Sequence, residues 1–246
     1  MNGDQEHAER GGEPILPKLP PSRTQGPLSD LSVYFFHRPE RRTLVEFGTA
    51  VEREEYSERI TQRLGISVSR YAILNVHQIG IEAPVSTIFE ELLRWDGDSS
   101  CWPNHIAQFS RVDYNLESIR VYPLGLERGL LGIKVAPLFN LQAIRIKRTP
   151  DPLDSDNDRY LLYECSGGYP IGFFAVYLRS SISALGETEP SQLFMAVGFN
   201  FYGRADWSRP SLLQRAWEGV HNRVTSNVLN RVKQLCEWRF EKVQSG

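Results

Sequence analysis

Apolar positions between Ser211 and Val243 recur every three to four residues, which predicts one long amphipathic helix. Leu213, Ala216, Trp217, Val220, Val224, Val228, Leu235 and Trp238 fall on one side of a helical wheel. Arg215, Asn222, Arg223, Lys233 and Glu237 fall on the other. Pro210 suits the entry, and Ser211 with Gln214 three residues on fits a capping box. No proline follows, so nothing in the sequence breaks the helix. Two polar residues, Asn227 and Arg231, interrupt the apolar stripe near its middle.

Upstream of this helix the period changes to two. Strands are predicted over Tyr71–Ile81, Phe109–Tyr114, Ser118–Tyr122, Ile133–Leu138, Gln142–Arg148, Leu161–Cys165, Phe173–Ser180 and Leu193–Tyr202. The last is the clearest, because Leu193, Met195, Val197, Phe199 and Phe201 alternate onto one face. A short helix is expected after Ala83-Pro84, where Val85, Ile88, Phe89 and Leu92 share a stripe. Trp95 to Pro103 is expected to be a loop, and turns fall at 151–158, Ser166-Gly167-Gly168 and Gly186-Glu187. Further upstream, Leu31–Phe36 is expected as a short strand and Val51–Leu64 as a helix ended by Gly65. Residues 1–28 hold too few apolar groups to offset the entropy of ordering, and are expected to be a disordered tail. The chain therefore divides into that tail, an N-terminal extension over 29–66, and a main domain over 67–246. A strand, a helix, a long antiparallel meander and a final helix define an α+β fold, in which a twisted sheet curls around the helix.

Composition narrows the function. A net charge of -2 and a pI near 6.2 give no global attraction to nucleic acid or acidic membranes. Cys101, Cys165 and Cys236 are odd in number and form no CxxC pair, which favours reduced thiols and no zinc site. No run reaches the roughly 18 apolar residues of a membrane span, and the acidic N-terminus lacks a signal-peptide core. A cytoplasmic protein is the expectation.

The stretch Ile79-Gly80-Ile81-Glu82-Ala83-Pro84-Val85, then Ile88-Phe89, then Trp102-Pro103, resembles the opening of the START/Bet v 1-like helix-grip (SRPBCC) superfamily. That superfamily includes polyketide cyclase and coenzyme-Q-binding proteins. Ser166-Gly167-Gly168-Tyr169-Pro170 and the long last helix look similar to it as well, so the resemblance covers about residues 70–243. Leu31 to Leu64 has no counterpart in it. The resemblance implies a curled sheet gripping the C-terminal helix around an apolar cavity, in proteins that bind lipids, sterols, quinones or polyketides. Some members catalyse cyclisation, and fold does not choose among these functions.

Catalytic signatures are mostly missing: there is no GxSxG, HExxH, GxxxxGK[ST] or GxGxxG after a strand. Gly125, Gly129 and Gly132 read as turn punctuation. Asp154-Ser155-Asp156-Asn157-Asp158 imitates a calcium loop but places Arg159 where glycine is needed and Cys165 where the bidentate Glu belongs. His7, His37, His77, His105 and His221 share no ligand spacing, and structural hydrogen bonding is their expected role. No metal, no cofactor and no nucleic acid partner is expected. Arg231 must find a carboxylate, a ligand oxygen or water, with Glu164 a conceivable partner.

The expected function is binding of a small hydrophobic ligand (lipid, quinone or polyketide-like) between sheet and helix. Trp217, Val220 and Val224 are expected to form the wall, and Asn227 and Arg231 to orient the ligand. Phe173, Phe199 and Phe201 count as core that can also touch it. The catalytic residues of an alternative, cyclase-like enzyme are unknown, with His77, His105 or Glu164 as its acid or base. A protein-interaction module docking through 31–64 is the third reading, and transient membrane contact is left open.

Overall fold

The computed structural model describes residues 27–65, 71, 73–93, 107–111, 118–123, 133, 136–137, 139–148, 158–166, 171–182, 188–199 and 212–245. In chain order the elements are α1 (Pro27–Phe36), α2 (Ala50–Leu64), β1 (Ile73–Ile81), α3 (Val85–Leu92), β2 (Ala107–Arg111) and β3 (Ser118–Pro123). Then follow β4 (Phe139–Lys147), β5 (Arg159–Ser166), β6 (Ile171–Ile182), β7 (Thr188–Phe199) and α4 (Leu212–Gln244). The strands form one antiparallel seven-stranded sheet in the order β1-β7-β6-β5-β4-β3-β2. Register shifts at Ala143/Arg145, Ile171/Phe173 and Arg179/Ser181 insert bulges that add local twist and curl. This is the helix-grip arrangement, α+β in class.

Alternation along the strands gives the sheet two apolar faces, and both are covered. Ile79, Ile81, Val176, Leu178, Leu193 and Met195 point inward, against Ile88 and Phe89 of α3 and Val228, Leu229, Val232 and Leu235 of α4. Leu74, Val76, Leu162, Ala175 and Ala196 point outward, against Leu64, with Tyr56 and Ile60 packed beside it. Each fully buried aliphatic side chain contributes about 1.5–3 kcal/mol relative to exposure. Tyr71 and Phe173 meet edge-on over the outward face, 4.9 Å between centroids. A Cβ on Gly198 would fall 2.2 Å from the Phe173 ring, so this close approach requires glycine.

The outer side of β1 is not left open. Val45 N–H donates to Val76 (2.8 Å), Gln78 N–H donates to Thr43 (2.7 Å), and Leu44 bridges His77. An uncovered edge would expose a row of unpaired backbone groups, and the segment 43–45 seals it. Helix α4 runs beside β1 in the same direction. Its Asn222 meets His77, its Lys233 donates to the Gly80 carbonyl, and its Glu237 accepts from Glu82 N–H. At this end the spacings agree: Lys233 to Glu237 is about 6 Å of helix at 1.5 Å per residue, and Gly80 to Glu82 is about 7 Å of strand. A buried Glu91 of α3 takes a bond from Arg239 Nε at 3.1 Å, fastening the far end.

Several expectations are met and others corrected. The helix expected over 51–64 is α2, and Gly65 ends it at φ 71. Leu31–Phe36, expected as a strand, lies in helix α1. Its β-branched and aromatic residues favour a strand locally, but tertiary contacts decide. Tyr34 enters the core, and α4 caps the C-terminal carbonyls of α1: Asn227 donates to Tyr34 (3.0 Å) and His37 (3.1 Å), Arg223 to Phe35 (3.4 Å). Of the strand expected over Ile133–Leu138, Ile133 makes an isolated bridge while Ala136 and Pro137 are not in a strand. The tail up to 26, the loop with Trp102-Pro103, the glycines at 125–132, 151–157 and 167–170 lie outside the described residues.

Replacing Asn227 with Ala should strip the half-buried Tyr34 carbonyl and the exposed His37 carbonyl of their donor and cost about 1 kcal/mol. Hydrogen exchange on the full chain should show α1 losing protection first; unchanged protection of α1 would refute its capping by α4.

Candidate functional site

The inward positions of β1 are Asn75, His77, Ile79 and Ile81, and the first two are polar where the rest of the face is apolar. Asn75 sits opposite Val197, which continues to Phe174 and Tyr163 on the next strands. It is only 3% exposed, and its Nδ2 has no hydrogen-bond partner among the described residues. Such a buried donor costs free energy unless something answers it.

His77 is fully buried one row further on, opposite Met195. Its Nδ1 lies 2.9 Å from Thr43 Oγ1, and its Nε2 lies 3.2 Å from Asn222 Oδ1. Thr43 and Ser226 hydroxyls are 3.0 Å apart. A neutral ring satisfies both of its contacts at once, with Nε2–H donating to Asn222 and Nδ1 accepting from Thr43. Burial, with His221 adding to it, lowers the His77 pKa to about 4 despite the opposing Asn222 bond. Burial likewise takes His221 to about 4; its ring stacks on Trp217, with centroids 4.8 Å apart. Both nitrogens of His77 are therefore engaged in joining three pieces of chain, and neither is open to a substrate.

The remaining candidates fall at distinct places on α4. Trp217 and Val224 are partly buried, Val220 is 44% exposed, and Arg231 is 7% exposed with Nη1 3.4 Å from Gln234 Oε1. Asn227 gives its amide hydrogens to α1. Glu164 is exposed on the outward face, across the sheet from α4, so it is no partner for Arg231. Phe173 is buried on the outward face rather than the inward one, because it alternates with Phe174 and shares the side of Ala175. His105, Phe201 and the Phe199 side chain lie outside the described residues. Sequence reading missed Asn75, Thr43, Asn222 and Ser226. The signal available was two polar residues, Asn75 and His77, in an otherwise apolar strand.

A cleft of about 660 Å³ opens between residues 36–44 and the first half of α4, with Arg38, Arg42 and Arg223 on its walls and Asn222 and Ser226 among its lining. Burial lifts the Glu218 carboxyl on the same half-helix, against Arg53 and Arg215. Among the described residues no three His, Cys, Asp or Glu side chains gather to hold a metal, and no helix is long and apolar enough to cross a membrane.

No protein-family model and no curated protein matches the chain. Solved structures of similar topology include the Zhui aromatase/cyclase from Streptomyces sp. R1128, at TM-score 0.41 and 15% identity over 67% of this chain and 93% of that one. The di-domain ARO/CYC BexL from the BE-7585A biosynthetic pathway gives 0.38 and 8% over 77% and 59%. Ara h 8.0201 gives 0.36 and 10% over 65% and 96%. These likenesses are distant and lend nothing to the assignment of chemistry.

The histidines make a pH prediction. Between pH 6.5 and about 4 the unfolded chain binds protons at His77 and His221 that the folded chain does not, so stability is full above 6.5 and falls as pH drops. For His77 the loss reaches about 3 kcal/mol near pH 4. Thermal melts across this window should show that slope, and His77→Asn should flatten it. An equal slope in the variant would place the pH dependence elsewhere.

Proposed function

We propose that the protein binds a small hydrophobic ligand between the inward face of the sheet and the first half of α4. One observation carries the reading: the apolar stripe of α4 runs on beyond the packed core. The helix residues of the inner core begin at Val228, with Val224 packed against it. Val220 and Trp217 extend the same stripe toward the helix start. Because Asn222 meets His77, the turns of α4 before it run toward the start of β1, where Asn75 keeps a buried amide without a partner among the described residues. A ligand oxygen would answer that donor while apolar walls desolvate the rest of the molecule.

The roles follow from placement. Trp217 and Val224 are the wall, and Val220 marks the mouth. Arg231 lies in the second half of α4, beyond this site, and Asn227 has committed its donors to α1, so the orienting part passes to Asn75. The ligand class this fits is a neutral apolar body with one carbonyl or hydroxyl oxygen, such as a quinone, a lipid or a polyketide-like ring system. The cyclase alternative needs an inward acid or base with an open atom, which His77 and Glu164 do not supply; His105 lies outside the described residues.

Native mass spectrometry of the purified full chain, followed by extraction, should find a neutral oxygen-bearing hydrophobe, or uptake of one from a panel that includes Nile red. Val224→Asp should abolish binding, and Asn75→Leu should weaken oxygen-bearing ligands about tenfold while sparing pure hydrocarbons. A chain that refuses every member of the panel, or binds equally in both variants, would overturn the reading.

A further inference from the structure

The outward face of the sheet carries a second concavity, of about 150 Å³, where α2 crosses β6 and β7. Its floor exists because short side chains meet in one row: Val76 pairs with Ala196, and Ala196 with Ala175. In the next row Tyr177 pairs with Phe194, their rings 6.0 Å apart, and fences one side. Tyr56 of α2 lines it as well.

Among the described residues three arginines line this pocket and no carboxylate does. Arg59 and Arg63 come from one face of α2, four residues apart, and Arg179 comes from β6. Each lies over an aromatic ring: Arg59 over Tyr56 at 5.8 Å, Arg63 over Tyr177 at 5.8 Å, Arg179 over Phe194 at 5.2 Å. None forms an ion pair among the described residues. Arg59 Nε reaches only the Glu55 carbonyl at 3.4 Å, and the buried Arg179 Nε has no hydrogen-bond partner. Burial raises the Tyr56 phenol, and all three arginines pull it the other way, so their charges converge on one point.

Like charges brought together at a half-buried point repel, and each desolvated guanidinium adds a cost. Stacking on aromatic rings fixes their planes and leaves their N–H edges free to donate as forks to an oxyanion. We infer that this pocket is a second binding site, for a carboxylate or phosphomonoester carried on a small apolar body. The oxyanion sits among Arg59, Arg63 and Arg179, and the apolar body rests on Val76, Ala175 and Ala196. The volume is about that which holds one benzene-sized group. Since α2 precedes the grip domain, the site exists only where the N-terminal extension docks on the sheet.

Isothermal titration of the full chain with phenyl phosphate and benzoate should show binding that weakens with added salt. Benzyl alcohol should bind at least about tenfold more weakly. Arg179→Gln should lose about tenfold in affinity, with Arg120→Gln on β3 as the unaffected control. Should Arg179→Gln melt early, Arg59→Gln and Arg63→Gln, both at exposed positions of α2, read the same loss in a folded chain. Ala196→Leu should fill the floor and remove phenyl phosphate binding. Asn75→Leu and Val224→Asp should leave it intact, which separates this site from the neutral-ligand site. No binding of either anion, or equal binding in every arginine variant, overturns the inference. Binding of phosphatidylglycerol vesicles lost in Arg59→Gln and Arg63→Gln, without phenyl phosphate binding, overturns it in favour of a membrane-facing surface.

Discussion

Strand β1 is an edge strand, and the molecule is organised around satisfying it. One side is bonded to β7. The other takes backbone bonds from residues 43 and 45, and α4 lies alongside. His77 sits at the junction with one nitrogen toward Thr43 and the other toward Asn222. A buried imidazole with two good partners is specific in a way that an aliphatic residue is not, because a slip of segment 43–45 or of α4 would orphan it. The N-terminal extension is therefore stitched into the domain: α1 is capped by α4, 43–45 seals the edge, and α2 roofs the outward face.

The described contacts of α4 are uneven along its length. The second half is held by Lys233 on Gly80, Glu237 on Glu82, Arg239 on Glu91 and a dense apolar core. Burial, reinforced by Glu91 and Glu237, pushes the Cys236 thiol well up, which keeps it inert there. The first half is tied through Asn222 and Arg223, and it displays Leu212 and Val220. A helix anchored at one end can present its other end to a ligand without dismantling the core.

Much of this was legible because periodicity survives in sequence. The strands read as period two, α3 opens after Pro84 as expected, Gly65 stops α2, and α4 spans nearly the predicted range. The failures share a cause. Val33, Tyr34, Phe35 and Phe36 favour a strand locally, yet their helix ends on donors from Arg223 and Asn227, nearly two hundred residues away in the chain. No local rule sees that. Asn227 reads in sequence as a misplaced polar residue on an apolar stripe, and its purpose appears only when α1 is placed beside it. The outward core was readable in principle: Tyr160-Leu161-Leu162-Tyr163 is apolar at every position, as a strand buried on both faces must be.

That double burial also explains how one sheet offers two different chemistries. Successive residues of β6 and β7 point to opposite sides, so Val176 and Met195 face the inner core while Ala175 and Ala196 face α2. Large inward residues pack against α3 and the second half of α4. Small outward ones leave room beneath a helix whose Arg59 and Arg63 form no ion pair among the described residues. The proposed inward site would favour a neutral molecule, because a bare charge among those walls would be costly and Asn75 offers only an amide group. The outward site asks for an anion, because three guanidinium groups already stand there. The two preferences are set by alternate residues of the same strands, and a one-residue slip in register would exchange them. The bulge between Arg179 and Ser181 falls just beyond Arg179, so the register that aims its guanidinium over Phe194 is fixed by the pairs before the bulge.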